Sequence, residues 1–205
     1  MTPPGGRRPR LLVATHSEHK LRELRQLLAL PVAELVSLDD IGVVDEPVED
    51  GDTFEANAAI KARAGLEATG LPTLADDSGL EVDALGGAPG PRSARWSAEG
   101  TDAANNALLL EQLAGMPEAR RTARYRCIVA FLATPSSVPE IVEATCDGFI
   151  LTEPRGKGGF GYDPLFFSPE LHMTFGEAPP AAKHRVSHRG RAFRALIEVL
   201  LRRST

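Results

Sequence analysis

Two adjacent carboxylates carry the clearest chemical signal in this sequence of 205 residues. Asp76 and Asp77 follow a short apolar stretch and precede Ser78 and Gly79, so we expect a buried strand to end in a glycine turn that presents the acidic pair. Carboxylate oxygens are the ligands that Mg²⁺ prefers, and Mg²⁺ commonly accompanies phosphorylated substrates. The pair therefore predicts a metal site at a strand end and Mg²⁺-dependent phosphate chemistry. The alternative is structural, because aspartates before Ser-Gly often accept hydrogen bonds from the backbone of a turn.

A second acidic segment offers further ligands for such a metal. Glu49 and Asp50 lie in a loop region that is rich in carboxylates. Because side chains alternate along an extended chain, one of Asp76 and Asp77 can face the metal while the other secures the turn. We therefore expect the metal ligands to come from both acidic segments.

Two further clusters carry groups that suit phosphates. The turn from Thr15 to Lys20 joins a predicted strand to a predicted helix, so unpaired backbone N–H groups and the positive helix end face the same space. Its spacing differs from the GxxxxGK pattern, which disfavours a P-loop NTPase. On the next predicted helix, Asn57 and Lys61 are four residues apart and share one face, which offers an amide and an ammonium. An ordinary helix cap and a solvated lysine are the structural alternatives.

Two clusters in the second half of the chain suit a planar base. Residues 158–163 combine glycines with the rings of Phe160 and Tyr162 and the carboxylate of Asp163, which suits stacking on a base and accepting hydrogen bonds from its edge. Residues 183–189 concentrate five basic or potentially basic side chains, which suit anions or the carbonyl oxygens of a base. The alternatives are a glycine-bulged strand with core aromatic residues and a solvated basic loop.

The elements that must position these clusters follow from hydrophobic periodicity and turn residues. Strands are predicted over 11–14, 73–75, 122–134, 140–152 and 162–167, with an extended segment over 81–85 and a short strand within the loop region 34–52. Helices are predicted from Ser17 through Leu28, over 53–69, from Thr101 to Leu113 and over 190–202. The strands predicted over 122–134 and 140–152 are expected to form an antiparallel hairpin. This order predicts an α/β fold with a long mixed β-sheet flanked by helices.

The composition disfavours several classes of protein. With 42% hydrophobic residues the chain can bury one sizeable core, so we expect a single domain over 10–205 behind a disordered leader over 1–9. The net charge of −5 offers no positive field for a nucleic acid. No segment approaches the ~20 apolar residues of a membrane span, and Cys127 and Cys146 lack the spacing of a zinc site. We therefore expect a cytoplasmic protein with buried thiols, no membrane and no nucleic-acid partner.

Taken together and in this order, the motifs resemble those of the inosine triphosphate pyrophosphatase family, the dITP/XTP pyrophosphatases that cleanse nucleotide pools. The resemblance extends over about residues 10 to 200. The segments that carry it are 15–20, 53–58, 75–80, 85–90, 93–96, 158–166 and 187–190. Each segment alone is a weak signal, but the ordered set is specific.

The resemblance implies a fold, an assembly and a reaction. It implies two lobes with a substrate cleft between them, a homodimer, and Mg²⁺ as the cofactor. The implied reaction is hydrolysis of the purine nucleoside triphosphates dITP, ITP and XTP between the α and β phosphates, which yields the monophosphate and pyrophosphate. A pyrophosphatase for modified pyrimidine nucleotides and a nucleotide-binding sensor without catalysis are the alternatives.

The resemblance also assigns roles to residues. Asp77 matches the catalytic carboxylate, which helps to hold the metal and accepts a proton from the attacking water, and Glu49 is the candidate for the additional metal ligand. Ser78 would contact the substrate beside the metal, and Phe160 would stack on the base. The residues expected to hold the triphosphate are Thr15, His16, Ser17, Glu18, His19, Lys20 and Lys61. The residues expected to complete the base pocket and to contact the 6-oxo group are Gly161, Tyr162, Asp163, Lys183, His188 and Arg189.

The sequence departs from the usual family pattern at three positions. His16 and Ser17 stand where the family commonly has Gly and Asn, and Ala182 stands where it usually has Glu. Ser17 can still cap the helix and donate a hydrogen bond, although its side chain is shorter.

Overall fold

A computed structural model of the protein describes residues 8–27, 33–43, 47 and 51–203. Most of the predicted leader lies outside the described residues, as do Leu28 and the predicted metal ligand Glu49. The strands are β1 (Arg10–Val13), β2 (Glu34–Ser37), β3 (Thr73–Val82), β4 (Thr122–Leu132), β5 (Glu140–Ile150), β6 (Phe166–Ser168) and β7 (Met173–Thr174). The α-helices are α1 (Glu18–Leu27), α2 (Phe54–Thr69), α3 (Asp102–Gln112), α4 (Pro180–Val186) and α5 (His188–Arg203).

The strands form a mixed sheet in the order β2-β1-β3-β4-β5-β6-β7. Strand β1 pairs in parallel with β2 and with β3, whereas β6 pairs in antiparallel fashion with β5 and with β7. Strands β4 and β5 are neighbours in the sheet and are joined by residues 133–139, which agrees with the predicted hairpin. The predicted α/β fold with a long mixed sheet flanked by helices is therefore confirmed.

The chain divides into two compact units. The first comprises the described residues up to Asp76 together with 129–141, and its apolar core includes Leu12, Val36 and Leu38. In this unit Gly65 of α2 lies against the sheet, since a Cβ at that position would lie 3.0 Å from the side chains of Leu12 and Thr73. Glycine therefore permits the close approach of α2 to β1 and β3.

Local signals set the limits of α2. The hydroxyl of Thr53 accepts a hydrogen bond from the backbone N–H of Ala56 at 3.1 Å, and Gly70 ends the helix with a left-handed φ of 68°. An N-cap hydroxyl and a C-terminal glycine satisfy backbone groups that a helix leaves unpaired at its ends. The prediction of a helix over 53–69 is confirmed.

The second unit comprises residues 77–128 together with the described residues from Val142 onward. Its core joins side chains of the sheet, of α3 and of the segment before α4. These core residues include Leu80, Leu109, Leu113, Tyr125, Tyr162, Phe166 and Phe175. Beside this core the buried guanidinium of Arg121 donates hydrogen bonds to the carbonyl oxygens of Leu113, Ile150 and Leu151 at 3.0, 2.8 and 2.8 Å.

The prediction that a strand ends after Ala75 in a glycine turn is wrong, because β3 continues through the acidic pair to Val82. Contacts from outside the local sequence hold it extended: the N–H of Leu80 donates to the hydroxyl of Ser93 at 2.8 Å, and Glu81 forms a β-bridge with Pro89. The extended segment predicted over 81–85 is also wrong beyond Val82, where Asp83–Leu85 form a 3₁₀ helix.

Two predictions in the last third of the chain need correction. The strand predicted over 162–167 begins only at Phe166, because the N–H groups of Leu165 and Phe166 donate to the carbonyl of Tyr162 and close a turn. The basic segment 183–189, predicted as a loop, belongs to α4 and to the first turn of α5. Helix α4 and strand β7 have no counterpart in the prediction.

The predictions about cysteines and membranes can be compared directly with the structure. Cys127 and Cys146 are buried thiols rather than a disulfide, as expected. Burial raises the pKa of the Cys146 thiol to about 12. Among the helices of the described residues, none combines the length and the hydropathy that crossing a membrane would need.

Candidate functional site

The acidic pair lies within β3, and both side chains are buried, with 3% of Asp76 and 6% of Asp77 exposed. A carboxylate that is removed from water needs a compensating charge or hydrogen bonds. For Asp76 the charge comes from Lys20 of α1, whose Nζ lies 3.2 Å from Asp76 Oδ2. In the first unit, the predicted phosphate turn and the acidic strand therefore meet through this ion pair.

The turn between β1 and α1 is held by its own side chains. The N–H of Ser17 donates to Thr15 Oγ1 at 3.1 Å, and the N–H of Lys20 donates to Ser17 Oγ at 3.4 Å. The imidazole of His16 is hydrogen-bonded through Nδ1 to Asp39 Oδ1 at 2.7 Å. The capping role predicted for Ser17 is confirmed, whereas the contact between His16 and Asp39 has no signal in the local sequence.

Of the other residues predicted for the phosphates, Glu18 is exposed at the start of α1 and His19 follows it in that helix. The face predicted for α2 is present, because Asn57 and Lys61 are buried while Arg63 is exposed. Asn57 Oδ1 accepts a hydrogen bond from the backbone N–H of Gly51 at 3.0 Å. The Lys61 side chain is also buried, which is uncommon for a lysine and requires a compensating partner.

In the second unit Asp163 organises the glycine-rich loop. Its Oδ2 accepts the backbone N–H of Phe160 at 2.9 Å and the ammonium of Lys183 at 2.6 Å. The hydroxyl of Tyr125 lies 3.4 Å from Asp163 Oδ1. Asp163 and Lys183 are both buried, with 2% and 5% exposed, so this is an ion pair inside the protein.

Two cations lie close to the half-buried ring of Phe160. Lys183 Nζ is 4.9 Å and Arg189 Cζ is 5.5 Å from the ring centroid, distances at which a cation is attracted to an aromatic face. Arg189 also donates a hydrogen bond to Ser78 Oγ at 3.1 Å. This hydrogen bond connects Ser78, which follows Asp77 in β3, to the first turn of α5.

Tyr125 and Tyr162, which belong to the core of the second unit, contact residues of this region. The ring of Tyr125 stacks on the imidazole of His188, with centroids 4.6 Å apart and an interplanar angle of 10°. Burial, together with the Asp163 carboxylate, raises the pKa of the Tyr125 hydroxyl well above its usual value, so it remains a hydrogen-bond donor. The buried Tyr162 donates its hydroxyl to the carbonyl of Ser93 at 2.9 Å, and burial raises its pKa as well.

The predicted site residues thus form local groups within each unit. In the first unit Lys20 contacts Asp76, and in the second Phe160, Asp163, Lys183 and Arg189 form one cluster that reaches Ser78. Sequence reasoning missed Tyr125 and Asp39, because each comes from an element distant in sequence and neither belongs to a recognisable motif. An aromatic residue amid the apolar residues of β4 is typical of an ordinary core position.

The donor set can be compared with the needs of Mg²⁺. Within the described part of the chain, no group of three or more His, Cys, Asp and Glu residues could hold a metal ion. Mg²⁺ is usually held by one or two carboxylates together with water and substrate phosphates, so a large protein cage is not required. The buried carboxylate of Asp77 therefore fits such an ion, whereas Glu49 lies outside the described residues.

Comparison with known proteins gives a consistent result. The sequence model of the Ham1 family matches residues 11–199. The dITP/XTP pyrophosphatase of Geobacter sulfurreducens is 51% identical to this chain over 189 residues, covering 91% of it and 94% of that relative. The dITP/XTP pyrophosphatase of Nocardia farcinica is 50% identical over 195 residues, covering 93% of this chain and 94% of that relative.

Solved structures agree with the sequence comparison. A HAM1 protein from Coxiella burnetii superposes with a TM-score of 0.86 at 38% identity, covering 95% of this chain and 99% of that one. A nucleoside-triphosphatase, dITP/XTP pyrophosphatase, from Mycobacterium abscessus superposes with a TM-score of 0.74 at 48% identity, covering 91% and 98%. The similarity therefore extends over nearly the full length of both chains in each case.

Proposed function

Because the chain belongs to the Ham1 family, as the resemblance of its motifs predicts, we propose that it is a Mg²⁺-dependent nucleoside triphosphate pyrophosphatase. Its substrates are the deaminated purine nucleotides dITP, ITP and XTP, and its products are the monophosphate and pyrophosphate. The observation that carries this proposal is the cluster of Phe160, Asp163, Lys183 and Arg189, which combines an aromatic face with cationic donors. The comparisons do not favour the alternatives of a pyrimidine nucleotide pyrophosphatase or a sensor, because the curated relatives named above are dITP/XTP pyrophosphatases.

In this proposal, Asp77 of β3 catalyses the hydrolytic step. Asp77 and Glu49 would hold Mg²⁺, which when bound neutralises phosphate charge and aligns the phosphates for in-line attack. The Asp77 carboxylate accepts the proton of the attacking water. Asp77 is buried within β3, and a general base must lie within hydrogen-bond reach of the proton that it accepts.

The cationic residues of the first unit bind the triphosphate. Lys20 and Lys61 offset the charge that develops on the leaving pyrophosphate. The turn over residues 15–20 offers backbone N–H groups at the start of α1, where the helix dipole favours an anion. Ser78 contacts the substrate beside the metal.

Recognition of the base follows from the donor groups of the second unit. Phe160 stacks on the base, and Arg189 with His188 donates to the 6-oxo group of hypoxanthine or xanthine. Adenine carries a 6-amino donor at that position, so each buried protein donor would lose its partner at a cost of ~1–3 kcal/mol. Lys183, held by Asp163, belongs to the same set of donors.

Three further parts of the proposal concern the site and its setting. Gly161 and Tyr162 complete the base pocket, and Thr15, His16, Ser17, Glu18 and His19 form the phosphate turn. The chain acts as a homodimer in the cytoplasm. The free thiols of Cys127 and Cys146 support the compartment alone, because a reducing compartment preserves thiols. Light scattering of the purified protein measures the assembly, and a monomer at assay concentration would contradict it.

The decisive experiment is a substrate panel. Pyrophosphate release is measured from dITP, ITP, XTP, dATP and a modified pyrimidine triphosphate, with Mg²⁺ present and with Mg²⁺ chelated. We expect rapid release from the first three nucleotides only when Mg²⁺ is present. Equal rates with dATP would overturn the account of base recognition, and undiminished rates after chelation would overturn the role of Mg²⁺.

A variant tests the assignment of the catalytic carboxylate. Asp77→Asn keeps the size of the buried side chain but removes its charge, so pyrophosphate release from dITP should be abolished while the fold is retained. Asp147→Asn, which changes an exposed aspartate of β5 in the same unit, serves as the matched control and should be fully active. Near-normal turnover by Asp77→Asn, with circular dichroism unchanged, would remove Asp77 from its role.

A further inference from the structure

The peptide units around Gly161 are held from two sides by side chains of α3. The Gly161 N–H donates to Asp102 Oδ2 at 2.6 Å, and the Gly161 carbonyl accepts from Asn106 Nδ2 at 2.8 Å. These contacts join residues 59 and 55 positions apart in sequence. The proposed reaction so far gives neither Asp102 nor Asn106 a role.

The geometry of α3 explains why these two residues act together. They are separated by one helical turn and therefore lie on the same face of the helix. Asp102 is not needed as the helix cap, because the hydroxyl of Thr101 accepts the N–H of Ala104 at 3.2 Å. Asn106 Nδ2 also donates to the carbonyl of Asp102 at 2.8 Å, which fixes the orientation of the amide.

The loop that they hold has little intrinsic order. Glycines at 156, 158, 159 and 161 leave its backbone with many accessible conformations, and fixing each residue costs conformational entropy. Gly161 adopts a left-handed φ of 61°, a conformation that side chains disfavour. Hydrogen bonds from a rigid helix are a means of selecting one conformation of such a loop.

The residue whose position depends most on this selection is Phe160. Its own N–H is bound by Asp163, and its carbonyl carbon forms the peptide bond to Gly161. The backbone of residues 160 and 161 is therefore fixed by Asp163, Asp102 and Asn106 together. This places the Phe160 ring beneath Lys183 Nζ at 4.9 Å.

We propose that Asp102 and Asn106 are positioning residues that preorganise Phe160 for stacking on the base of the nucleotide. This inference rests on the proposed function and extends it to two residues outside the recognised motifs. In the absence of these hydrogen bonds the loop samples other conformations, and a nucleotide must select the competent one before its base can stack. The effect is confined to ligands that carry a base.

The alternative is that the same hydrogen bonds only secure the loop to the fold. That alternative predicts a lower melting temperature with unchanged affinity in the molecules that remain folded. Positioning predicts weaker binding of the monophosphate product dIMP and unchanged binding of pyrophosphate, because only dIMP carries a base. The two products therefore separate the explanations.

Two pairs of variants of the full-length protein make the test. Asp102→Asn retains an oxygen that can accept the Gly161 N–H, whereas Asp102→Ala does not. Asn106→Asp keeps the shape of the side chain but replaces the donor with a carboxylate that repels the Gly161 carbonyl, and Asn106→Ala removes the donor alone. Inhibition constants for dIMP and pyrophosphate, and KM and kcat for dITP, are measured for each folded variant.

We expect Asp102→Ala, Asn106→Ala and Asn106→Asp to raise the dIMP inhibition constant and the dITP KM about two- to tenfold, the loss that one hydrogen bond typically brings. We expect kcat and the inhibition constant for pyrophosphate to change less than twofold, and Asp102→Asn to retain most of the dIMP affinity. Unchanged dIMP inhibition in the alanine variants, or equal losses for dIMP and pyrophosphate, would overturn the assignment. Failure of the wild-type protein to hydrolyse dITP would instead overturn the proposed function.

Discussion

The buried ion pair between Asp163 and Lys183 allows a quantitative prediction about the second unit. Asp163 Oδ2 lies 2.6 Å from Lys183 Nζ. Of the side chains alone, 3% of Asp163 and 6% of Lys183 is exposed. Asp163→Asn keeps the shape of the carboxylate but leaves the Lys183 ammonium in a region that excludes water. We expect this single change to destabilise the second unit strongly, because an uncompensated buried charge is costly.

The size of the effect can be worked out from the contacts. Removing one partner of a buried ion pair typically costs about 3–5 kcal/mol. Two features favour the lower end: the Asn carbonyl can still accept the Phe160 N–H, and the Lys183 ammonium keeps the aromatic faces of Phe160 and Phe175 at 4.9 and 5.6 Å. We therefore expect a loss of about 3 kcal/mol in the free energy of unfolding.

The chain offers a convenient probe for this measurement. Trp96, the one tryptophan in the sequence, belongs to the same unit as Asp163, so its fluorescence reports the unfolding of that unit. With a urea dependence of about 2 kcal/mol per molar, the unfolding midpoint should fall by about 1.5 M. Asp147→Asn, which alters an exposed carboxylate in the same unit, should change the midpoint by less than about 0.3 M.

A double variant makes the reasoning refutable. Asp163→Asn combined with Lys183→Met removes both charges and should recover part of the lost stability, because no buried ammonium remains uncompensated. If Asp163→Asn unfolds at the wild-type urea concentration, the ion pair contributes little and the argument from burial is wrong. The cost of Lys183→Met alone is measured in the otherwise wild-type protein. If adding Lys183→Met to Asp163→Asn lowers the stability by more than that cost, the uncompensated ammonium is not the cause of the loss.

Two further predictions concern the core of the second unit. Arg121→Met should lower the melting temperature by about 10 °C in a calorimetric scan, because three buried carbonyl oxygens lose the guanidinium that donates to them; a drop of less than 2 °C would show that water replaces it. Burial raises the pKa of the Cys146 thiol from 9.0 to about 12, so between these pH values the folded state keeps a proton that the unfolded state loses. The contribution of this thiol to the free energy of unfolding is therefore present below pH 9 and is lost as the pH rises toward 12. Ellman's reagent at pH 8 should therefore leave both thiols unmodified until denaturant is added, and rapid reaction of the native protein would contradict the burial of the cysteines.

Elements with local start and stop signals were predictable from the sequence. Helices α2 and α3 begin after the hydroxyls of Thr53 and Thr101, and α2 ends at Gly70, as the sequence predicts. Such caps are recognisable because both hydrogen-bonding partners lie within a few residues of one another. The same reasoning applies to the family motifs, which are contiguous in sequence.

Elements that depend on distant partners were not predictable in this way. Ser78 and Gly79 have the composition of a turn, but Ser93 and Pro89 bind the following residues and keep the strand extended. The basic segment 183–189 looks like a loop because its charges obscure the helical pattern, and the structure shows two helices that meet at Ser187. In both cases tertiary contacts override local propensity.

The same limit applies to the candidate site. The residue types that suit a base and phosphates were identified from sequence, whereas the residues that orient them were not. Asp102 and Asn106 contact Gly161, and Tyr125 contacts Asp163, from 38 to 59 positions away in sequence. A hydrogen bond between residues so far apart leaves no periodicity or spacing that a single sequence could reveal.

The continuity of β3 also separates the roles of the two aspartates. In a turn, adjacent carboxylates can point to the same side, but in a strand successive side chains point to opposite faces. Asp76 Oδ2 lies 3.2 Å from Nζ of Lys20, so Asp76 is the partner of that ammonium within the first unit. The uninterrupted strand therefore gives the two carboxylates separate surroundings, which fits our proposal that Asp77, rather than Asp76, holds the metal.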